Sequence, residues 1–332
     1  MQSHSSQLPL ADHSTSKQGC PERRAVRFLV TVAAGFIGAN LCRRLLLEGR
    51  ETHVLVRTNT ATWRLAEIAD RLQWHFADLM DVEAVDRVIR EVEPSIVYHL
   101  ATHGAYHYQD NADKILRTNV MGLWNLVRAC GRVGCELLVN TGSSSEYGAK
   151  QFAMRETDVL DPSSFYAVAK AAQSLLCQHV GRTGKTPIVT LRPFSVYGPY
   201  EEPTRLIPRL MMAAIESKPI DMVSPRTVRD FVFVDDVVAV YLAIDQLKAV
   251  SGEIINLGTG VQTSLQQLVE AVGVPIDARW NSMLPRSWDS TSWVADISKL
   301  RRLIGVVPRV SVGEGLSQTL AWFRENRHFY EA

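Results

Sequence analysis

Tyr166 and Lys170, four residues apart, are the side chains in this sequence best suited to proton transfer. In a helix this spacing places both on one face, one turn apart. A free phenol has a pKa of about 10, and a nearby ammonium group favours the phenolate and lowers that pKa. Ser143, in the serine-rich stretch before this pair, can add a hydroxyl donor. The three groups together could move a proton at a carbonyl or alcohol carbon.

This chemistry requires a dinucleotide-binding unit upstream, and the sequence predicts one. The apolar runs 27–33 and 51–57 read as strands, and 39–49 reads as a helix between them. The turn from Gly35 to Gly38 would place a pyrophosphate on the helix N-terminus. The usual turn has three glycines, but its first position here is Val32. Valine tolerates a positive φ poorly, so either the backbone takes a different path or cofactor binding is weakened.

The alternation of strands and helices continues and predicts an α/β fold with a doubly wound parallel sheet. The predicted strands are 72–76, 95–100, 136–140 and 186–192, and the predicted helices are 81–92, 111–133 and the helix that holds Tyr166. After residue 193, prolines interrupt the pattern, and strands at 230–234 and 252–257 with helices at 235–247 and about 313–326 predict a smaller lobe. We expect a disordered tail over 1–25, a Rossmann domain over 26–193 and a substrate lobe over 194–332, with the chain crossing between the two.

The composition is that of an ordinary soluble globular protein. The chain has 332 residues, 46% of them hydrophobic, and a formal net charge of +1, which gives no support for binding to nucleic acid or to a membrane. Five scattered cysteines favour a reduced, cytoplasmic setting. His103 and His107 lack further ligands at metal-binding spacing, so we predict no metal site.

Several short motifs occur along the chain: 30–38, Asp78-Leu79, His99-Leu100-Ala101, Thr118-Asn119-Val120 with Gly122, the Ser143 loop, Tyr166 with Lys170, 191–199, 229–236 and Asn256-Leu257-Gly258. Taken together, these motifs resemble the extended short-chain dehydrogenase/reductase family, in its nucleotide-sugar branch, over residues 26–326. The resemblance implies that Tyr166 is the acid/base, that Lys170 holds it and the nicotinamide ribose, and that Ser143 bonds the sugar oxygen.

The same resemblance implies the rest of the site. The expected cofactor-binding residues, besides Tyr166 and Lys170, are Gly35, Phe36, Ile37, Gly38, Arg57, Asp78, Leu79, Ala101, Thr102, Asn119, Pro193 and Phe194. The expected substrate-binding residues are His103, Ser143, Ser144, Arg229 and Arg286, the two arginines on the diphosphate of a nucleotide sugar. Many members of the family pair through two helices, so we expect a homodimer, with 111–133 and 164–181 as the candidate helices.

The serine loop argues against a dehydratase. Sugar 4,6-dehydratases that resemble this chain carry an acidic pair at the positions of Ser144 and Ser145, and serine hydroxyls are far too weakly acidic to replace it. Glu146 lies one place later. We expect it to be a solvated loop carboxylate that points elsewhere, although a one-residue bulge could return it to the site.

The end of the second predicted strand bears on the cofactor. An acidic residue there would accept the ribose hydroxyls of NAD, whereas this chain has Arg57, with Arg64 close behind. An arginine suits a phosphate dianion, so we favour NADP(H); in the alternative, Arg57 stacks on the adenine and the cofactor is NAD.

The reaction expected from these features is reduction of a nucleotide 4-keto-6-deoxyhexose by NADPH, because the chain resembles ketosugar reductases of the CDP-abequose/paratose synthase type. The first alternative is a nucleotide-sugar 4-epimerase with tightly bound NAD. The second is a non-catalytic protein that binds a dinucleotide.

Overall fold

The computed structural model describes residues 25–106, 108–284 and 289–330, so most of the predicted N-terminal tail lies outside the described residues. The strands are β1 (Arg27–Thr31), β2 (Glu51–Val56), β3 (Gln73–Phe76), β4 (Ile96–His99), β5 (Leu137–Thr141), β6 (Ile188–Pro193), β7 (Ser195–Tyr197), β8 (Ile220–Asp221), β9 (Val228–Arg229), β10 (Phe231–Phe233), β11 (Ile254–Leu257), β12 (Thr263–Ser264) and β13 (Ala278–Arg279). The helices are α1 (Phe36–Leu47), α2 (Val82–Val92), α3 (Ala112–Leu116), α4 (Gly122–Val133), α5 (Phe165–Thr183), α6 (Leu206–Glu216), α7 (Val234–Tyr241), α8 (Ile244–Ala249), α9 (Leu265–Ala271), α10 (Ser298–Leu303) and α11 (Val312–Asn326).

Seven of the described strands form one parallel sheet in the order β11-β6-β5-β4-β1-β2-β3. All four residues of β4 are buried, as expected for a central strand that helices cover on both faces. The predicted doubly wound sheet is therefore confirmed. Because the strand order reverses between β1 and β4, a crevice opens at the carboxyl ends of these two strands, where such sheets bind ligands.

The core is divided by the sheet. One apolar cluster includes Leu41 and Leu45 of α1, and the cluster on the other face includes Val88 of α2 and Leu126 of α4. A third cluster lies in the later part of the chain, around Phe233 and the helices α6, α9 and α11. That part also returns to the main sheet, because β11 pairs with β6.

Two predicted helices are interrupted in the structure. The segment predicted as a helix over 111–133 contains a π-helical turn at Arg117–Met121 between α3 and α4. The segment predicted over 235–247 is divided into α7 and α8, since the chain leaves the helical conformation at Ala243. Across the described residues, the search for a helix long and apolar enough to cross a membrane finds none.

Candidate active site

The turn between β1 and α1 fits the pyrophosphate of a dinucleotide. Gly35 caps α1 without a side-chain hydrogen bond, and the first turn of the helix carries no acidic residue. The first backbone N–H groups of the helix therefore face outward together with the positive end of the helix dipole. A Cβ at Gly38 would come within 2.8 Å of the Val32 carbonyl oxygen, so the close approach of strand and helix depends on this glycine.

Val32 adopts the conformation that a glycine usually supplies at this turn. Its φ is +51°, in the left-handed region, and its carbonyl accepts a hydrogen bond of 2.9 Å from the Gly35 N–H. The sequence allowed two outcomes, and the structure does not show the first of them, a different backbone path at this turn. The turn keeps a glycine-type conformation, at a strain cost of about 1–3 kcal/mol for a non-glycine residue.

The structure brings Ser143, Tyr166 and Lys170 together. Tyr166 and Lys170 lie in the first two turns of α5, whose N-cap is Ser164. The Lys170 Nζ is 6.0 Å from the centre of the Tyr166 ring and donates a hydrogen bond of 2.9 Å to the Thr141 carbonyl oxygen. Ser143 follows β5 and begins a short 3-10 turn, Ser144–Tyr147.

The expectation that the pKa of Tyr166 falls below that of a free phenol is wrong for this structure. Burial raises the pKa of Tyr166, and this effect outweighs the lowering by hydrogen bonds with the Ser143 and Thr102 side chains and by the charge of Arg205. Lys170 is only 2% exposed, and burial lowers its own pKa to about 8. The lysine thus pays a desolvation penalty for its place beside the tyrosine.

Glu146 is the clearest departure from expectation in the serine loop. It was expected to be solvated, but its exposed fraction is 0%. Its carboxylate accepts hydrogen bonds from the Ser143 N–H at 2.8 Å, the Ser174 Oγ at 2.9 Å and the Arg192 Nε at 2.7 Å. With both oxygens engaged behind the loop, Glu146 is not placed to act as a dehydratase acid.

The two serines at the dehydratase positions also have protein partners. The Ser145 hydroxyl lies 2.8 Å from that of Ser143, and the Ser144 hydroxyl accepts a hydrogen bond of 3.2 Å from the Trp293 indole. Because both positions hold serine, neither offers a carboxylate to the cleft.

The remaining predicted cofactor residues differ in exposure. Ala101 is buried just after β4, Pro193 and Phe194 are buried at the end of β6, and Leu79 is buried against Gly122. Thr102 is exposed in the loop after β4. Arg57, which follows β2, and Asp78, which lies just after β3, are exposed as well.

Asn119 acts through the loop after β4. Its side chain forms two hydrogen bonds of 2.8 Å with the backbone N–H and carbonyl of His103, and it lies within the π-helical turn. It thus holds the loop that carries Ala101 and Thr102.

On the predicted substrate side, Arg229 lies in a polar and aromatic environment. Its guanidinium carbon is 5.3 Å from the centre of the Trp293 ring, and its Nη2 is 3.6 Å from Asp289. Asp289 also lines a cavity of about 260 Å³. His103 is partly buried, which lowers its pKa. Arg286 and His107 lie outside the described residues.

Two buried arginines near the site, Arg192 and Arg64, make contacts that were not expected from the sequence. Arg192 stands within the otherwise uncharged strand β6, and a charge at such a position is a recognisable signal. Arg64 was considered as a companion of Arg57 for a phosphate group. Instead it donates to the Tyr200 carbonyl at 2.7 Å, to Glu202 at 3.0 Å and to the Ala34 carbonyl at 3.4 Å. It therefore ties the glycine-containing turn to the segment after β7.

The sequence matches the NAD dependent epimerase/dehydratase family over residues 28–258, and the chain belongs to this family. It is 31% identical to a UDP-glucuronate 4-epimerase of Thermodesulfobacterium geofontis over 313 residues, which cover 90% of this chain and 96% of the relative. The resemblance seen in the motifs is thereby confirmed, and the chain is an NAD(P)-dependent enzyme that acts on a nucleotide sugar.

Solved structures agree with this assignment. A UDP-glucuronic acid 4-epimerase from Bacillus cereus, in complex with UDP-glucuronic acid and NAD, has a TM-score of 0.79 and 28% identity, over 91% of this chain and 100% of that chain. A dTDP-glucose 4,6-dehydratase from Streptomyces venezuelae, with NAD bound, has a TM-score of 0.82 and 26% identity, over 92% and 99%. The relatives described here are epimerases and a dehydratase, so the comparisons favour the epimerase alternative over the reductase expected from the sequence. Both solved relatives hold NAD, so the preference for NADP(H) receives no support.

Proposed function

We propose that this chain is a nucleotide-sugar 4-epimerase that uses NAD. The observation that carries the choice is the serine loop: Ser143 and Tyr166 are in contact in the cleft, while the carboxylate of Glu146 is buried against Arg192. A site with this triad and without free carboxylates in the loop suits proton transfer at one sugar hydroxyl and does not suit elimination of water. The likeness to UDP-glucuronate 4-epimerases supports the same reaction.

The chemistry that bound NAD supplies is reversible hydride exchange with C4 of the sugar. Tyr166 takes the proton of the C4 hydroxyl and returns it to the opposite epimer. Ser143 donates a hydrogen bond to the same oxygen, and the Lys170 ammonium stabilises the phenolate form of Tyr166. The Gly35–Gly38 turn would hold the pyrophosphate, and the Thr102 side chain forms a hydrogen bond with Tyr166.

In this proposal residues 26–193 bind the dinucleotide and residues 194–332 bind the nucleotide sugar. Arg229 supports this division, because its cationic side chain lies against Trp293, which in turn donates to Ser144 of the catalytic loop. A diphosphate at Arg229 would thus be connected to the serine loop through one indole ring. We propose a UDP-linked or dTDP-linked sugar, in keeping with the relatives.

We also propose that the chain forms a homodimer through α5 and the adjoining π-helical turn. Phe165, Val168 and Leu175 on α5 are 57%, 42% and 54% exposed, and Met121 in the neighbouring segment is 47% exposed. These side chains form an apolar surface on two elements that pack side by side.

The test is incubation with NAD and UDP-glucose, UDP-glucuronic acid or dTDP-glucose deuterated at C4, with products identified by NMR. An epimerase returns the label to C4 of the inverted sugar. Loss of the C6 oxygen would instead indicate a dehydratase, and turnover of 4-ketosugars that consumes NADPH would indicate the reductase. Tyr166→Phe serves as the control, with turnover expected to fall at least about 100-fold while NAD still binds.

A further inference from the structure

The side chains of Glu146 and Arg192 form an ion pair behind the catalytic loop with almost no access to solvent. Their exposed fractions are 0% and 1%, and Arg192 Nε donates to Glu146 Oε2 at 2.7 Å. Burying two charges costs desolvation energy that two apolar side chains would not incur. A pair retained in this position is therefore a candidate for a role beyond stability.

The second oxygen of Glu146 connects the loop to the catalytic helix. Its Oε1 accepts from the Ser143 N–H at 2.8 Å and from Ser174 Oγ at 2.9 Å. Ser174 follows Lys170 by one helical turn, so the carboxylate lies against the helix face that carries the lysine. Gly142 makes room for this contact, because a Cβ there would come within 2.6 Å of Glu146 Oε1.

The charge of Glu146 also reaches the reacting groups. It raises the pKa of Lys170, opposing the effect of burial, and it raises the pKa of Tyr166. The titratable groups around Glu146, Lys170 and Tyr166 are Cys177 of α5, Arg192 of β6, Tyr147 of the 3-10 turn, His99 of β4 and Arg205 at the start of α6. The cations that face the carboxylate are Lys170 and Arg192, whereas Arg205 acts on Tyr166.

We propose that Glu146 is a positioning residue that fixes Ser143 through its backbone N–H and balances the charge of Lys170, with Arg192 holding the carboxylate in place. This inference rests on the proposed roles of Ser143, Tyr166 and Lys170. It gives the acidic residue of the loop a function that differs from acid catalysis, since Glu146 acts through its neighbours and its carboxylate does not face the cleft.

Glu146→Gln removes the charge and keeps the shape. Without the anion, both Lys170 and Tyr166 lose protons more readily, so both limbs of the kcat–pH profile are expected to move to lower pH, by about one unit. We expect kcat at the optimum to fall at least about tenfold, with KM changed less than about threefold. Asp230→Asn is the control: Asp230 is also 0% exposed, but it bonds Thr259, Gly260 and Ala295. Its loss should lower stability without moving the profile.

A titration of the Tyr166 phenolate tests the electrostatic part without any sugar. The absorbance change with pH is measured for each protein and for its Tyr166→Phe counterpart, and the difference reports Tyr166. Phenolate formation in Glu146→Gln is expected at lower pH than in the wild type. Because no substrate is needed, an error in the proposed reaction would leave this result intact. An unshifted titration, or a shift to higher pH, would overturn the proposal.

The double variant Glu146→Gln with Arg192→Met removes both charges of the pair and covers the case in which the single variant does not fold. The net charge beside Lys170 is then unchanged, so the limbs of the profile should return to within about half a pH unit of the wild type. We expect kcat to remain at least about tenfold low, because the glutamine amide is a weaker acceptor for the Ser143 N–H than the carboxylate and Arg192 no longer holds it in place. Wild-type kcat in the double variant would show that the pair does not position the site.

Discussion

At the scale of single residues, the site combines residues whose backbone conformation or charge state is energetically unfavourable. Val32 has a positive φ, and Lys170 is a buried ammonium with its pKa lowered to about 8. Strain and desolvation of this kind persist only where the surrounding structure compensates for them. Val32 follows β1 and Lys170 bonds Thr141 at the end of β5, so both lie at carboxyl ends of strands, where sites of this fold bind ligands.

Val32→Gly is expected to change the free energy of unfolding by less than about 1 kcal/mol, because relief of backbone strain offsets the lost side-chain packing and the added chain entropy. Val30→Gly, two residues earlier within β1 and 0% exposed, is the control and should cost about 3 kcal/mol or more. Urea unfolding of the two variants and the wild type measures both values. Equal losses at the two positions would contradict the strain at Val32.

Lys170→Met should abolish activity and stabilise the fold near neutral pH. Because the pKa of Lys170 falls from 10.5 to about 8 on folding, the unfolded chain binds more protons between these values, and wild-type stability rises with pH across that window. The variant's advantage, about 2 kcal/mol at pH 7 after allowing for the lost bond to Thr141, should therefore shrink toward about pH 10.

Urea unfolding at both pH values, with Lys248→Met as a surface control, provides the measurement. The control lysine pairs with Glu136 near the surface. A stability difference between Lys170→Met and wild type that does not change with pH would show that burial does not perturb this lysine.

At the scale of elements, the π-helical turn between α3 and α4 positions the cofactor loop. A π turn adds a residue to the helix, and such turns occur often at functional sites. Here it carries Asn119, whose side-chain amide forms two hydrogen bonds with the His103 backbone. The backbone carbonyl of Asn119 accepts a hydrogen bond of 2.6 Å from the side chain of Gln173 in α5. Asn119 therefore joins the loop after β4 to α5, the helix that carries Tyr166.

Asn119→Ala is expected to lower the free energy of unfolding by about 1–2 kcal/mol, because two partly buried backbone groups of His103 lose their partners. It should also weaken NAD binding, since the loop with Ala101 and Thr102 is no longer held. Thr319→Val, which loses a buried bond to Gly315 in α11, is the control and should reduce stability alone. Calorimetric NAD titration separates the two effects, and unaltered affinity in Asn119→Ala would argue against the role of the loop.

At the scale of the whole molecule, the later part of the chain contacts the earlier part at several points. Arg64 reaches Tyr200 and Glu202, the Tyr330 hydroxyl donates to the Glu201 carbonyl at 2.7 Å, and Trp63 packs against Phe329 with ring centres 5.2 Å apart. The surface of α5 remains apolar and exposed outside these contacts.

Glutamate at both Val168 and Leu175 should convert the proposed dimer to a monomer, because two charges would have to be buried in an apolar interface. Light scattering coupled to size-exclusion chromatography measures the mass. Val159→Glu, at a position that is 82% exposed, is the control and should leave the mass unchanged. A monomeric wild-type protein would refute the proposed interface.

The order of strands and helices, the glycine-containing turn and the Tyr166–Lys170 pair were predictable from sequence because they depend on local patterns. Apolar runs and helical spacing are read within a few residues, and parallel strands then bring their carboxyl ends to one edge. The interruptions at the π turn and at Ala243 were missed, because single-residue departures from helical geometry leave the apolar periodicity almost unchanged.

By itself, the sequence predicted the sheet, the grouping of Ser143, Tyr166 and Lys170, and the family, whose motifs are contiguous. Only the tertiary structure decided the states of these groups. Glu146 is buried because Arg192, 46 residues away, reaches it from β6, and the pKa of Tyr166 is raised because packing around α5 excludes water. Desolvation depends on every element that covers a group, so residue type and spacing along the chain do not specify it.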